Sequence, residues 1–204
     1  MGKSSVGQDR EVKFTVKLKG LRPVVFDRYA GNAAQLTPAQ KLYYMPGEKQ
    51  PTICLPAENL YSFFTATNTT SAPKRLLDKR QYKDICAALG TFLDIEPADF
   101  IPFTREGKKI QFGEFIDNKD EKSGCWVMYN VARLKDGIPN PKERPVLPTP
   151  WELSLNLTLY KNPEVSASLM HTILVDGGIA IGLGTFRGRY GKFEVVEFKE
   201  VKNK

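Results

Sequence analysis

The chain has 204 residues, 41% hydrophobic and 26% charged, an ordinary composition for a globular protein with one sizeable core. Lys and Arg number 30 against 23 acids, and the net charge of +7 fits either a polyanionic partner, most commonly nucleic acid, or a basic protein without one. No run approaches the roughly 18 apolar residues of a membrane span, so no membrane partner is expected.

Residues 1–10, "MGKSSVGQDR", are polar and lack a signal-peptide core, so they are expected to be a disordered lead-in. From 11 to 18, "EVKFTVKL" alternates cleanly. Val12, Phe14, Val16 and Leu18 share one face and charged or polar residues the other, which predicts a half-buried strand ended by Gly20 and Pro23. "TICLP" predicts a short buried strand, and Pro56 suits the first position of a helix over 57–67 carrying Leu60, Phe63, Phe64 and Thr67. "NTTSAPKR" interrupts. A second amphipathic helix is expected over 79–92, with Tyr82, Ile85, Cys86, Leu89 and Phe92 inside.

In the middle, "KKIQFGEFI" and "CWVMYNVARL" predict two strands about the polar turn "DNKDEKSG". The proline-rich "GIPNPKERPVLPTP" predicts an extended connector. "WELSLNLTLY" follows as a strand with Trp151, Leu153, Leu155, Leu157 and Leu159 on one face. Asn162-Pro163-Glu164 predicts a helix start, Val165, Leu169 and Ile173 its buried stripe, and Gly177-Gly178 its end. "KFEVVEFKEV" closes the chain as a strand whose alternation slips between Val195 and Val196, predicting a bulge. With the middle segments set aside the skeleton is β-α-β-β-α-β. The expected fold is α+β, a ferredoxin-like or RRM-like core with large insertions: one domain over 11–201 with inserted segments at about 68–150.

The stretch Gly177–Gly191, "GGIAIGLGTFRGRYG", holds six glycines and two arginines. It leaves a helix and enters a strand, the reverse of a dinucleotide fingerprint or a Walker loop, and both are rejected. What survives is a glycine loop from which Arg187, Arg189 and Lys192 project, with Phe186 and Tyr190 as stacking surface. Such a loop either meets phosphates or is a tight connection with solvated charges. Lys74, Arg75, Lys79 and Arg80 cluster near the second helix. Arg22 and Arg28 follow the first strand, with Tyr29 beside them. Each of these cations is, on its own, as well explained by a solvated face. "REGKK" at 105–109 predicts a hairpin-like turn. No Ser-His-acid pattern, metal-ligand spacing or activated cysteine emerges, so neither catalytic residues, metal nor cofactor are expected. The three cysteines, Cys54, Cys86 and Cys125, are spaced for neither a disulfide frame nor a zinc site, and they suit a reducing, cytoplasmic compartment.

The helix followed by "GGIAIGLGTFRGRYGKFEVVEF" resembles the glycine-rich loop of the CRISPR-associated RAMP superfamily, through Gly182, Gly184, Gly188 and Gly191 with Arg187, Arg189 and Lys192. "ICLPAENLYSFFTAT" and "VKFTVKLKGLRPVVFDR" are weaker echoes of the same family. The helix start departs from its pattern, with Ala57, Glu58 and Asn59 where small or polar residues and a base are usual. The resemblance implies a ferredoxin-like, RNA-binding protein. It would be a non-catalytic subunit on the backbone of a guide RNA, with copies of itself and other effector subunits as partners. It also leaves room for a metal-independent endoribonuclease of the same fold, whose base would be His171, though that side chain is expected to point outward. In some such subunits a loop aspartate cuts target RNA, and Asp117 and Asp120 occupy a candidate loop. A phage or mobile-element protein binding single-stranded nucleic acid is the remaining alternative.

Overall fold

The computed structural model describes residues 10–29, 31, 35–113, 124–133, 137 and 139–201. Strand β1 spans Glu11–Gly20 and buries Phe14, Val16 and Leu18, as the alternation predicts. After β2 (Val24–Val25) and a 3-10 turn at Ala39–Lys41, β3 (Cys54–Pro56) leads directly into α1, Ala57–Thr65. Pro56 takes the cap position with extended backbone, and Ala57, Leu60, Phe63 and Phe64 form the buried face. The segment expected only to interrupt the helices contains a short helix, α2 (Ala72–Leu76), which Ser71 caps by accepting from the Lys74 amide. The next helix, α3, is shorter than expected, Tyr82–Phe92. It passes without a loop into β4, Leu93–Glu96.

The middle of the chain departs furthest from expectation. β5 (Phe100–Pro102) pairs with β3. β6 (Thr104–Arg105) and β7 (Lys108–Lys109) form the small hairpin expected at "REGKK", turned at Glu106 and Gly107, both at positive φ. Past Lys109 the expected strand "KKIQFGEFI" is reduced to a bridge between Gln111 and Thr52, and 114–123 lie outside the described residues, Asp117 and Asp120 among them. β8 (Trp126–Arg133) is as expected, but the proline-rich connector is its partner strand β9, Pro139–Leu147. The prolines are tolerated because Pro139, Pro141 and Pro145 have the same parity. The Pro145 carbonyl accepts from Phe26 N at 3.0 Å, so that parity faces away from β8 and no β8–β9 hydrogen bond is lost.

β10 (Glu152–Tyr160) is the central strand. It pairs antiparallel with β1 along nine residue pairs, and β11 (Phe193–Glu200) flanks β1 on the far side. The other edge of β10 takes β4 at one end and β6 at the other, giving a six-stranded sheet. The strand completing the main sheet beside β10 is therefore β4, hidden in sequence at the end of a helix. The bulge expected in the last strand is present: Leu18 pairs with Val195 and Lys17 with Glu197, leaving Val196 unpaired.

Helix α4 spans Ala167–Ala180, capped by Ser166 accepting from Leu169 N, so the start expected at Asn162 is displaced. Asn162 instead closes a local turn by accepting from the Glu164 and Val165 amides. Of the expected stripe, Val165 and Ile173 are buried and Leu169 packs partly buried against the core, and Met170, Leu174, Gly177 and Gly178 complete the buried face. The glycine pair does not stop the helix; it lets it approach its neighbours. A Cβ on Gly177 would lie 2.5 Å from Ala72 Cβ and 2.6 Å from Phe63, and one on Gly178 2.7 Å from Phe193. These helices and the sheet's inner face share one core, which includes Phe14, Leu18, Phe63, Leu89, Leu155, Leu157 and Ile173. The outer face is of mixed charge, with Lys17 paired to Glu152 at 3.0 Å and Lys19 to Glu194 at 3.5 Å. The architecture is mixed α+β with antiparallel sheets and insertions.

Candidate functional site

The glycine loop, 181–192, folds back on itself between α4 and β11. Its base is closed by Leu183 N donating to Gly191 O at 2.9 Å, and its outer side is stitched to the chain after β1. There Thr185 N donates to Val25 O and Gly191 N to Pro23 O, each at 2.8 Å. Two glycines explain the density. Gly191, at φ +66, has Leu183 O where a Cβ would stand, and Gly184, at φ +77, lies against Val25 O. Gly188, at φ +91, has only Ala180 O at 3.9 Å. Most of the glycines that sequence alone offered for phosphate approach are thus used for backbone-to-backbone packing.

Arg187 turns inward. Its guanidinium donates to Asn59 O at 2.8 Å, Thr70 O at 3.1 Å and Ser62 Oγ at 3.2 Å, and burial pulls its pKa down. Gly184 N donates to Asn59 Oδ1 at 2.9 Å. The loop is therefore clamped across α1 from two directions. Asn59 and Ser62 stand one turn apart, beside the buried stripe of Leu60 and Phe63. Helical periodicity would have placed them together, but nothing in the sequence says what they hold.

Beside this clamp lies a second node. Arg144, on β9, is buried and donates to Asp27 Oδ2 at 2.7 Å and Asn130 Oδ1 at 2.6 Å. Its guanidinium lies 4.7 Å from the Phe186 ring centroid, and Phe186 holds a left-handed φ of +57. Lys41 reaches the other Asp27 oxygen at 3.7 Å. Asp27 and Arg144 are 117 positions apart, beyond any local pattern.

Three adjoining cavities run along the exposed side of α1. One of 290 Å³ is lined by Thr69, Thr70, Phe186 and Arg187. It shares Ser62, Gly184 and Arg187 with a second of 260 Å³, lined also by Asp27, Tyr43, Glu58 and Asn59. That one shares Tyr43, Pro56 and Glu58 with a third of 570 Å³, which reaches Arg28, Tyr44, Asp99 and Phe100. Together they form a groove from the glycine loop to Arg28, whose guanidinium lies 5.8 Å from the Tyr43 ring centroid. Burial raises the pKa of both tyrosines, Tyr44 to about 12, so both keep their hydroxyl protons at neutral pH.

Of the expected site residues, the groove gathers Gly184, Arg187 and Arg28. Gly182, Gly188 and Gly191 shape the loop and line none of these three cavities. The β1–β2 turn meets the loop's end, where Leu21 N and Arg22 N both donate to Lys192 O, at 2.8 and 3.2 Å, and within the loop Arg189 lies over Tyr190 at 5.6 Å. Arg22 and Arg189 are exposed there. Lys74, Arg75, Lys79 and Arg80 are exposed on and after α2, with Lys74 Nζ donating to Thr67 O at 2.7 Å. His171 is half-buried rather than outward-pointing, its ring centroid 4.5 Å from that of Phe198, and it lines none of these three cavities. Among the described residues no group of acids, cysteines and histidine is gathered for a metal.

No family model and no curated protein matches this chain. Among solved structures it is similar to a chain in the cryo-EM structure of the Type III-B Cmr-beta bound to cognate target RNA, with a TM-score of 0.58 at 12% identity. The match covers 95% of this chain but 61% of the other, and at that identity the likeness is one of fold.

Proposed function

We propose that this chain is a non-catalytic RNA-binding component of RAMP type, lying on the backbone of a guide RNA in a CRISPR ribonucleoprotein beside copies of itself and other effector subunits. In this reading residues 11–201 are one domain, and β1, α1 with α3, β4, β10, α4 and β11 are its ferredoxin-like core. The observation that carries it is the groove beneath the glycine loop. It is open along α1, Arg28 stands at its far end, and Arg22, Arg189 and Lys192 flank the loop's outer side. The fold likeness and the net charge of +7 point the same way.

In this arrangement Arg187 is the strut that holds the loop over α1, while the exposed cations are free to meet phosphates. Contacts to a backbone make binding tolerant of sequence and steeply salt-dependent. The test is a titration of labelled single-stranded RNA at several salt concentrations. Each phosphate contact is expected to add about −0.7 to the slope of log K against log salt. A flat slope overturns the proposal. A matched DNA strand that binds equally well would favour the general single-strand binder, because only RNA offers the 2′-hydroxyl.

A further inference from the structure

We infer that the wide end of the groove is a pocket for one unpaired nucleobase, and that Glu58 selects guanine there; this rests on the RNA-binding reading above. The cavity at that end measures 570 Å³, within the range of about 300–1,000 Å³ typical of small-molecule sites. Tyr43 and Phe100 give it aromatic walls, and splayed-out bases of single-stranded RNA stack on such surfaces.

Its charges are arranged for a base and against a phosphate. Two carboxylates, Glu58 and Asp99, line it, and neither forms an ion pair among the described residues. A phosphate placed between them would be repelled. Arg28, over the Tyr43 ring and also without an ion pair among the described residues, is the lining cation. The phosphate of a nucleotide whose base enters the cavity belongs beside it.

The acid chooses among bases by donor pattern. A carboxylate only accepts, through two oxygens side by side. Guanine presents two adjacent donors on its pairing edge, the ring N1–H and the exocyclic amine. Adenine and cytosine set an acceptor beside their amine, and uracil flanks its single N–H with two carbonyls. Only guanine meets Glu58 with both oxygens satisfied. Glu58 is exposed in the first turn of α1, where the helix dipole favours its ionised form, and it lines this cavity without an ion pair among the described residues.

The test uses the intact chain and the 5′-monophosphates of guanosine, inosine, adenosine, cytidine and uridine, titrated by calorimetry. Guanosine monophosphate is expected to bind about tenfold or more tighter than the adenosine, cytidine and uridine forms, as a charge-assisted hydrogen bond allows. The inosine form, lacking the exocyclic amine, should fall between. Glu58→Gln should abolish the preference while lowering the thermal melt only slightly, through loss of the charge at the α1 N-terminus. Equal binding of all five, binding of none, or a guanine preference that survives Glu58→Gln overturns the inference. Steeply salt-dependent RNA binding without base preference would overturn the pocket and leave the RNA-binding reading standing. Selective binding of guanosine monphosphate without RNA binding would support the pocket and remove that reading.

Discussion

The two ends of the groove invert the expectation that chemistry follows motif. At the glycine-loop end nearly every distinctive residue is occupied by the fold itself: Arg187 with three acceptors, Gly184 with Asn59, Gly191 with Leu183. At the other end the sequence carries only the weaker echoes around Arg28 and Glu58, yet Glu58, Asp99 and Arg28 reach a cavity without an ion pair among the described residues. In this chain the glycine-arginine loop is held in place by its own contacts and borders the groove, and Glu58, Asp99 and Arg28 line its far end. An intramolecular hydrogen bond to a charged group competes with any ligand for the same donor, so a satisfied arginine makes a strut more readily than a contact.

The contrast can be broken most forcefully inside the loop. Gly191→Ala places a Cβ 1.9 Å from Leu183 O at a left-handed φ, and should cost about 3 kcal/mol or prevent folding. Gly188→Ala, with no atom nearer than 3.9 Å, should cost only about 1 kcal/mol. Denaturant melts compare the two, and equal losses would sink the assignment of Gly191 to packing.

Arg187→Ala comes next. It removes three hydrogen bonds made by one charged guanidinium and should lower stability by about 2 kcal/mol. Any loss of RNA binding in that variant has to be read after its melt, whereas a full loss with an unchanged melt would make Arg187 a contact instead. Arg28→Ala and Arg189→Ala should do the reverse. Neither should shift the melt beyond about 0.5 kcal/mol, and each should weaken RNA binding several-fold and flatten the salt slope by about one phosphate contact.

A separate effect, read without any substitution, is alkaline. Burial pushes the Cys54 and Cys125 thiols from 9.0 up to about 12. The folded state therefore holds these protons more tightly than the unfolded one. Their contribution is intact below pH 9, and stability should decline as pH rises from 9 toward about 12. A melt series across that window checks it, alongside thiol titration, in which both cysteines should react only on unfolding.

The strands with strict alternation, β1 and β10, were legible because one buried face imposes period two on a single stretch of chain. The same logic located the slip between Val195 and Val196 as a bulge. The strand β4 was missed because four residues carry little periodicity and follow a helix without punctuation. β9 was missed because its prolines read as a connector until their shared parity is known. Of the site, the sequence alone determined which residues carry charge and that a glycine-rich turn joins the last helix to the last strand. Whether an arginine is a strut or a contact depends on acceptors elsewhere in the chain: Asn59 and Thr70 for Arg187 in that turn, Asp27 for Arg144 on β9. Only the tertiary structure decided that, because hydrogen bonds and close approaches depend on distances in space, and residues 117 positions apart share no local pattern.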